Sequence, residues 1–75
     1  MHSFWHNWQF RRTDMAGQWF CELSFFSNNF NHCENTLAEA CKRLDVRDFG
    51  IWPQSGGGYT GIIFINSDQR ETIGQ

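Results

Sequence analysis

Positive charge and long apolar runs are both scarce in this 75-residue chain. Six Lys and Arg stand against eight Asp and Glu, which gives a formal net charge of -2 at pH 7. A protein that grips phosphate backbones normally carries a strongly basic surface, and a mimic of nucleic acid needs dense carboxylates. The charge of this chain favours neither class.

No apolar run is long enough for a membrane span. The longest unbroken run is Ile62-Ile63-Phe64-Ile65, whereas a spanning helix needs about 20 apolar residues. The first residues, 1–6, lack the basic start and the apolar stretch of a secretory signal. The sequence therefore predicts a protein without a membrane span.

The cysteines are odd in number: Cys21, Cys33 and Cys41. An odd count in a small chain argues against a disulfide framework and for a reducing, cytoplasmic compartment. Structural zinc sites present paired ligands close in sequence, and no two of the three cysteines lie close enough to form such a pair. Cys33 beside His32 is the one candidate nucleophile, but no oxyanion donors accompany it. No catalytic residue, metal ligand or cofactor is therefore predicted, and the protein is not expected to be an enzyme.

Aromatic residues are what the chain has in excess. They make up 17 % of it, with four Trp and eight Phe, and hydrophobic residues reach 40 %. A chain of this composition can build a core. The length predicts a single domain, residues 1–75. Residues 67–75 form a polar tail whose end is expected to fray, with Asp68 and Glu71 able to cap one helical turn.

Two alternating segments predict an antiparallel hairpin. Residues 4–12 alternate with a period of two, which places Phe4, Trp8 and Phe10 on one side and Trp5 on the other. Residues 18–26 alternate in the same way. The turn is expected at residues 13–17, where Gly17 can adopt a positive φ. In the second strand the inward set is Trp19, Cys21, Leu23 and Phe25.

The clearest local signal predicts a helix over residues 36–46. Thr36 and Glu39 have the spacing of a capping box, which satisfies two free backbone N–H groups at a helix N-terminus. Glu39 and Arg43 lie one turn apart in the favoured order. One helical face is apolar: Leu37, Ala40, Cys41 and Leu44.

The second half of the chain predicts two more strands. Phe49, Ile51 and Trp52 form a short strand that ends at Pro53, and residues 54–58 connect it to a strong strand over residues 59–66. The order is ββαββ. The fold class is therefore α+β, with an antiparallel sheet of about four strands and one helix packed on one face.

The strands offer more apolar surface than one helix can cover. A helix of this length is about 16 Å long and shelters one face of a small sheet, yet the strands are apolar on both faces. Exposed apolar patches of more than a few hundred Å² usually mark interaction surfaces. The expected anchors are Trp5, Phe20 and Phe26, with Arg11 and Arg12 at the rim.

Three other readings of that surplus remain open. Loops and tails can fold over the second face, or a second copy can cover it in a homodimer. The aromatic strands can also stack single-stranded bases. Direct contact with nucleic acid is the least expected of these, because the main positive cluster, Lys42, Arg43 and Arg47, lies on the helix.

Two stretches resemble known proteins. Gln18-Trp19-Phe20-Cys21-Glu22-Leu23, followed by Asn35-Thr36-Leu37-Ala38-Glu39-Ala40, is similar to the N-terminal region of HicB-type antitoxins, where a strand leads into a helix. In size, reduced cysteines and surplus aromatic surface, the chain resembles small inhibitors from phages and mobile elements, such as the anti-CRISPR proteins. That resemblance implies an inhibitor in the cytoplasm of a bacterial host, which sterically blocks a larger protein or ribonucleoprotein complex.

Overall fold

One helix packs on one face of a four-stranded antiparallel sheet. The structure is a computed structural model that describes residues 4–66, 69 and 73, except for the side chains of Met15 and Trp19. The predicted α+β class and the order ββαββ are confirmed. The sheet has the strand order β1-β2-β4-β3, so β1 and β3 are its edges. The elements are β1 (Trp8–Met15), β2 (Gln18–Ser27), α1 (Phe30–Leu44), β3 (Gly50–Pro53) and β4 (Tyr59–Ile65).

The first hairpin is tighter than the sequence predicted. Met15 pairs with Gln18, so the loop is only Ala16 and Gly17, with φ of 52° and 81°. Two positive φ values define a type I′ turn, whose twist suits a two-residue hairpin. The strand predicted from residue 4 begins only at Trp8, because residues 4–7 form a turn.

The helix begins six residues before the predicted capping box. Asn29 is the N-cap, and its side-chain Oδ1 accepts a hydrogen bond from the His32 backbone N–H at 2.9 Å. An asparagine N-cap does the same work as a threonine one, so Thr36 and Glu39 lie inside the helix. The predicted start at residue 36 is therefore wrong. The helix ends at Leu44, where Asp45 adopts a left-handed conformation and its N–H bonds the Cys41 carbonyl.

The core lies between the helix and the two central strands. The predicted apolar face of the helix is buried, and Cys33 extends it by one turn. It packs against the odd-numbered side chains of β2 and β4, which alternate in and out of the sheet plane. The fully buried side chains are Leu23, Leu37, Ile63, Ile65 and Cys33.

A cluster of rings closes the core beside β1. Phe4, Trp5, Trp8 and Phe25 lie in succession, with neighbouring ring centroids 4.7, 5.3 and 5.3 Å apart. Edge-on and tilted ring pairs at these distances are favourable. The Arg43 guanidinium lies 4.1 Å from the centre of the Phe4 ring and so links this segment to the helix. The prediction that Trp5 projects from the opposite side of a strand to its neighbours is wrong, because Trp5 lies in the turn and packs on the core.

Two positions of the predicted polar tail contact the domain. Ile73 is buried in the core, and the Gln69 amide donates to the Leu44 carbonyl at the end of the helix, at 3.1 Å. Asn66 and Gln69 also exchange hydrogen bonds between side chains and backbone N–H groups, which is the pattern of a capping box. Asp68 and Glu71, predicted to cap a turn here, lie outside the described residues, as does the side chain of Trp19.

Candidate functional site: the open face of the sheet

The sheet face opposite the helix carries large apolar side chains in contact with solvent. Residues that are directly paired in neighbouring strands project from the same face, so the register assigns this face without ambiguity. Its apolar members are Phe20, Phe26, Trp52, Ile62 and Phe64, and we call this surface the open face. Phe26, Trp52 and Phe64 are 53 %, 52 % and 47 % exposed. The predicted apolar surplus on the second face is present at these positions.

Two of these rings lie against glycine. A side-chain carbon added at Gly50 would collide with the Trp52 indole, and one added at Gly58 would collide with the Phe26 ring. Each ring therefore occupies the space that a glycine leaves free above the backbone. Such aromatic cover of a glycine is a known means of fixing sheet geometry. The rings are thus held in position although half of their surface is exposed.

A groove of about 500 Å³ crosses the β3 side of the open face. It begins in the loop between α1 and β3 and continues over β3 and β4. Its lining is Asp48, Phe49, Gly50, Trp52, Ile62 and Phe64. Ligand pockets of proteins are usually about 300–1,000 Å³ and are lined mainly by apolar and aromatic side chains with a few polar groups. The groove has a comparable volume and a largely aromatic lining, but it is open to solvent along the sheet surface. Asp48 is the charged residue among its described lining.

A second, smaller hollow of about 260 Å³ lies toward the β1 side of the open face. Its described lining is mainly polar, with Asn7, Gln9, Ser24 and Thr60 beside Phe26. Phe25 also contributes to it, although the Phe25 ring is buried on the helix side of the sheet. Its described lining therefore has fewer aromatic residues than that of the larger groove, and it includes no charged residue.

The described residues of the open face and its groove carry few charges, one positive and two negative. Arg11 in β1 lies directly opposite Glu22 in β2, and Asp48 lies at the edge of the larger groove. Opposite charges on directly paired residues attract across a sheet. Within the described part of the chain, this face therefore has no row of basic side chains that would follow a phosphate backbone.

The five residues predicted as partner-binding do not all share one surface. Phe20, Phe26 and Arg11 belong to the open face by register. Arg12 pairs opposite the buried Cys21 and so projects from the helix side of the sheet, where its side chain is 3.6 Å from that of Asp14. Trp5 also lies on the helix side, within the ring cluster.

Sequence reasoning missed Trp52, Phe49 and Phe64 as members of one site. A signal for them was present, because the Gly-rich segment 54–58 connects β3 directly to β4 as a hairpin. In that hairpin Trp52 pairs with Thr60 and Gly50 with Ile62, which places Trp52, Ile62 and Phe64 on one face. The loop closes through hydrogen bonds between Gln54 and the backbone of Gly57 and Gly58.

The three thiols are buried in the core. Burial raises the pKa of the Cys33 thiol above its ordinary value. For Cys41 burial raises the pKa, and the negative charge of Asp48 raises it further. A nucleophilic cysteine needs the opposite shift and access to a substrate. Cys33 lies within α1, as its fourth residue, and not ahead of a helix that begins at residue 36 as the sequence predicted.

No cluster of His, Cys, Asp and Glu suited to holding a metal ion occurs among the described residues. Over the same residues, no helix has the length and apolar character needed to cross a bilayer. Comparison of the chain with protein-family models, curated proteins and solved structures gave no match. A function therefore has to be inferred from the residues of the domain itself.

Proposed function

We propose that this domain is a non-enzymatic binding protein that docks its open face on a larger protein or ribonucleoprotein assembly and blocks it sterically. The observation that carries the proposal is the exposure of Phe26, Trp52 and Phe64 on a face that no other described element covers. Large exposed apolar patches are typical of interaction surfaces. Trp, Tyr and Phe are the residues enriched there.

The charges favour a protein surface over a bare nucleic acid as the occupant. Platforms that stack single-stranded bases normally lie in a positively charged groove. Here Arg11 faces Glu22, and the larger groove contains Asp48. Both arrangements would leave a phosphate backbone without matching cations.

The partner is proposed to be a bacterial defence complex or another host machine. This part of the proposal depends on the class-level resemblance to small phage inhibitors, which act by occupying a surface of a host complex. The mechanism needs only a tight, shape-matched contact, in which a few buried aromatic anchors supply most of the binding energy.

The test is to purify a partner that binds the domain and to measure its affinity for matched variants of the domain. Truncation of a central aromatic anchor usually costs about 2–4 kcal/mol of binding, or about 30- to 1,000-fold in Kd. The double variant Phe26→Ala with Phe64→Ala should therefore weaken binding by at least this much. The control is Phe30→Ala, because Phe30 is 41 % exposed but lies at the start of the helix. Circular dichroism should show that both variants keep the fold.

Three outcomes would overturn the proposal. Equal affinity of the double variant and the control would show that another surface binds the partner. A monomer–dimer equilibrium that only the open-face variant abolishes would identify a second copy as the occupant. Binding of oligonucleotides that quenches tryptophan fluorescence and weakens steeply with salt would identify a nucleic-acid platform instead.

A further inference from the structure

We propose that the larger groove of the open face accepts a cationic side chain, an arginine guanidinium, presented by the partner. The inference rests on the proposed function and names the chemistry that the partner must offer. Three aromatic residues and one aspartate are among the residues that line the groove: Phe49, Trp52, Phe64 and Asp48. Aromatic walls around an anionic group are the arrangement in which proteins recognise organic cations.

Among the described residues that line the groove, Asp48 is the charged one. Within the described part of the chain, ion pairs join Arg12 to Asp14 and Arg43 to Glu39, and neither involves Asp48. Asp48 therefore brings to the groove a negative charge that has no ion-pair partner among the described residues, beside the negative faces of aromatic rings. A purely apolar occupant would strip water from this carboxylate without replacing it, which is costly.

The aromatic walls are set before any occupant arrives. Trp52 lies over Gly50, whose missing side chain gives the indole its place. Phe64 and Trp52 project from strands that pair with each other, so the sheet fixes their separation. Phe49 precedes β3 and is 37 % exposed. A preset site avoids much of the entropic cost of ordering side chains on binding.

Arginine fits this lining better than lysine. Its guanidinium is planar, stacks on aromatic faces and can bond a carboxylate through two parallel N–H groups. A lysine ammonium is a compact, strongly hydrated point charge, and it gains less from a flat ring. The groove offers both a ring face and a carboxylate, which is the combination that an arginine uses fully.

The experiment is a titration of the full chain with N-acetyl-argininamide, followed by the indole N–H resonances of the four Trp in NMR spectra. The Trp52 resonance is assigned with Trp52→Phe. N-acetyl-citrullinamide is the matched probe, since it has nearly the same shape without the charge. We expect a saturable shift of the Trp52 resonance with the arginine probe and about tenfold weaker binding of the citrulline probe.

The charge is tested with two variants that each remove one carboxylate. Asp48→Asn should weaken binding of the arginine probe by about three- to tenfold, whereas Asp14→Asn, on the helix side of the sheet, should leave it unchanged. Equal binding of the citrulline and arginine probes would overturn the inference, because the groove would then select shape alone. So would equal effects of the two variants, or shifts confined to the other indoles.

The two proposals fail in different ways. If the open-face variants abolish partner binding and the arginine probe does not bind, the inference about the groove is wrong and the proposed function stands. If the arginine probe binds at Trp52 and the open-face variants keep full partner affinity, the groove binds a cation but the proposed docking surface is wrong.

Discussion

The side chain of Leu37 fills the space directly above Gly61, where any other residue would place its Cβ. This contact sets the distance between the helix and β4, and it needs a glycine at that point of the strand. Gly61 lies opposite both Phe25 and Ile51, so it is the place where the helix approaches the centre of the sheet. The helix therefore covers the centre of one face of the sheet and leaves the open face uncovered.

Replacement of Gly61 should loosen the helix from the sheet. Gly61→Ala puts a methyl group where Leu37 packs, and overpacking of this kind costs about 1–3 kcal/mol. The measurement is the free energy of unfolding in urea. Gly56→Ala is the matched control, since nothing lies within 4 Å of a Cβ there, and it should leave stability unchanged or slightly raised. Equal destabilisation by both variants would contradict the packing of Leu37 on Gly61.

The start of the helix can be tested with two cap variants. Asn29→Ala removes the acceptor of the His32 N–H and should destabilise the domain by about 1 kcal/mol. Thr36→Ala lies within the helix and should cost much less, because alanine is the better helix former. The free energy of unfolding in urea, measured for both variants, distinguishes an N-cap at Asn29 from one at Thr36. A larger loss of stability for Thr36→Ala than for Asn29→Ala would show that the helix begins at the capping box of Thr36.

Arg43 is expected to couple the N-terminal segment to the helix. It lies over the Phe4 ring at 4.1 Å and bonds Glu39 at 2.9 Å. A double-mutant cycle of Phe4→Leu and Arg43→Met should give a coupling energy of about 0.5–1 kcal/mol, the usual value for partly exposed cation–π pairs. A coupling energy of zero would show that the ring and the guanidinium do not interact in solution.

Stability should fall at alkaline pH because of the buried thiols. Burial raises the pKa of Cys33 and of Cys41, and Asp48 adds to the rise for Cys41. The unfolded chain then loses these protons at a lower pH than the folded chain. The contribution of the thiols is complete below the unfolded pKa, near 9.0, and it is lost as pH rises through the folded values.

The check is the urea midpoint between about pH 8 and about pH 10 under reducing conditions. Wild type should lose more stability over this range than the double variant Cys33→Ala with Cys41→Ala, although that variant starts from a lower stability. An equal loss in both would show that other groups cause the decline.

The sequence was sufficient for the fold because its strongest patterns are local. The alternation of β2 and the apolar helix face follow from the periods of strand and helix, and both are seen in the buried Leu23 and Leu37. The helix start was missed because two cap signals compete. Asn29 and Thr36 are both acceptable N-caps. The contacts of the first turn with the sheet accompany the earlier start, through the buried Cys33 and the Phe30 ring against Tyr59.

The site was predicted less well than the fold, because it depends on strand order and register. The apolar surplus is visible in the sequence, but the residues that share a face with Phe26 are set by the pairing of β2 with β4 and of β4 with β3. Trp5 was misplaced for a related reason. Its alternation with Phe4 and Trp8 suggests a strand, whereas the rings pack on one another in a turn.

Photo-crosslinking from two matched positions tests the central claim most directly. Benzoyl-phenylalanine replaces Phe64 in one protein and Phe30 in another, so that each carries the reactive ring at a half-exposed aromatic position. If the open face is the docking surface, the protein with the reactive ring at position 64 should give one dominant protein adduct in lysate of a bacterial host. The protein with the ring at position 30 should give none. Adducts of equal yield from both positions, or from position 30 alone, would contradict it.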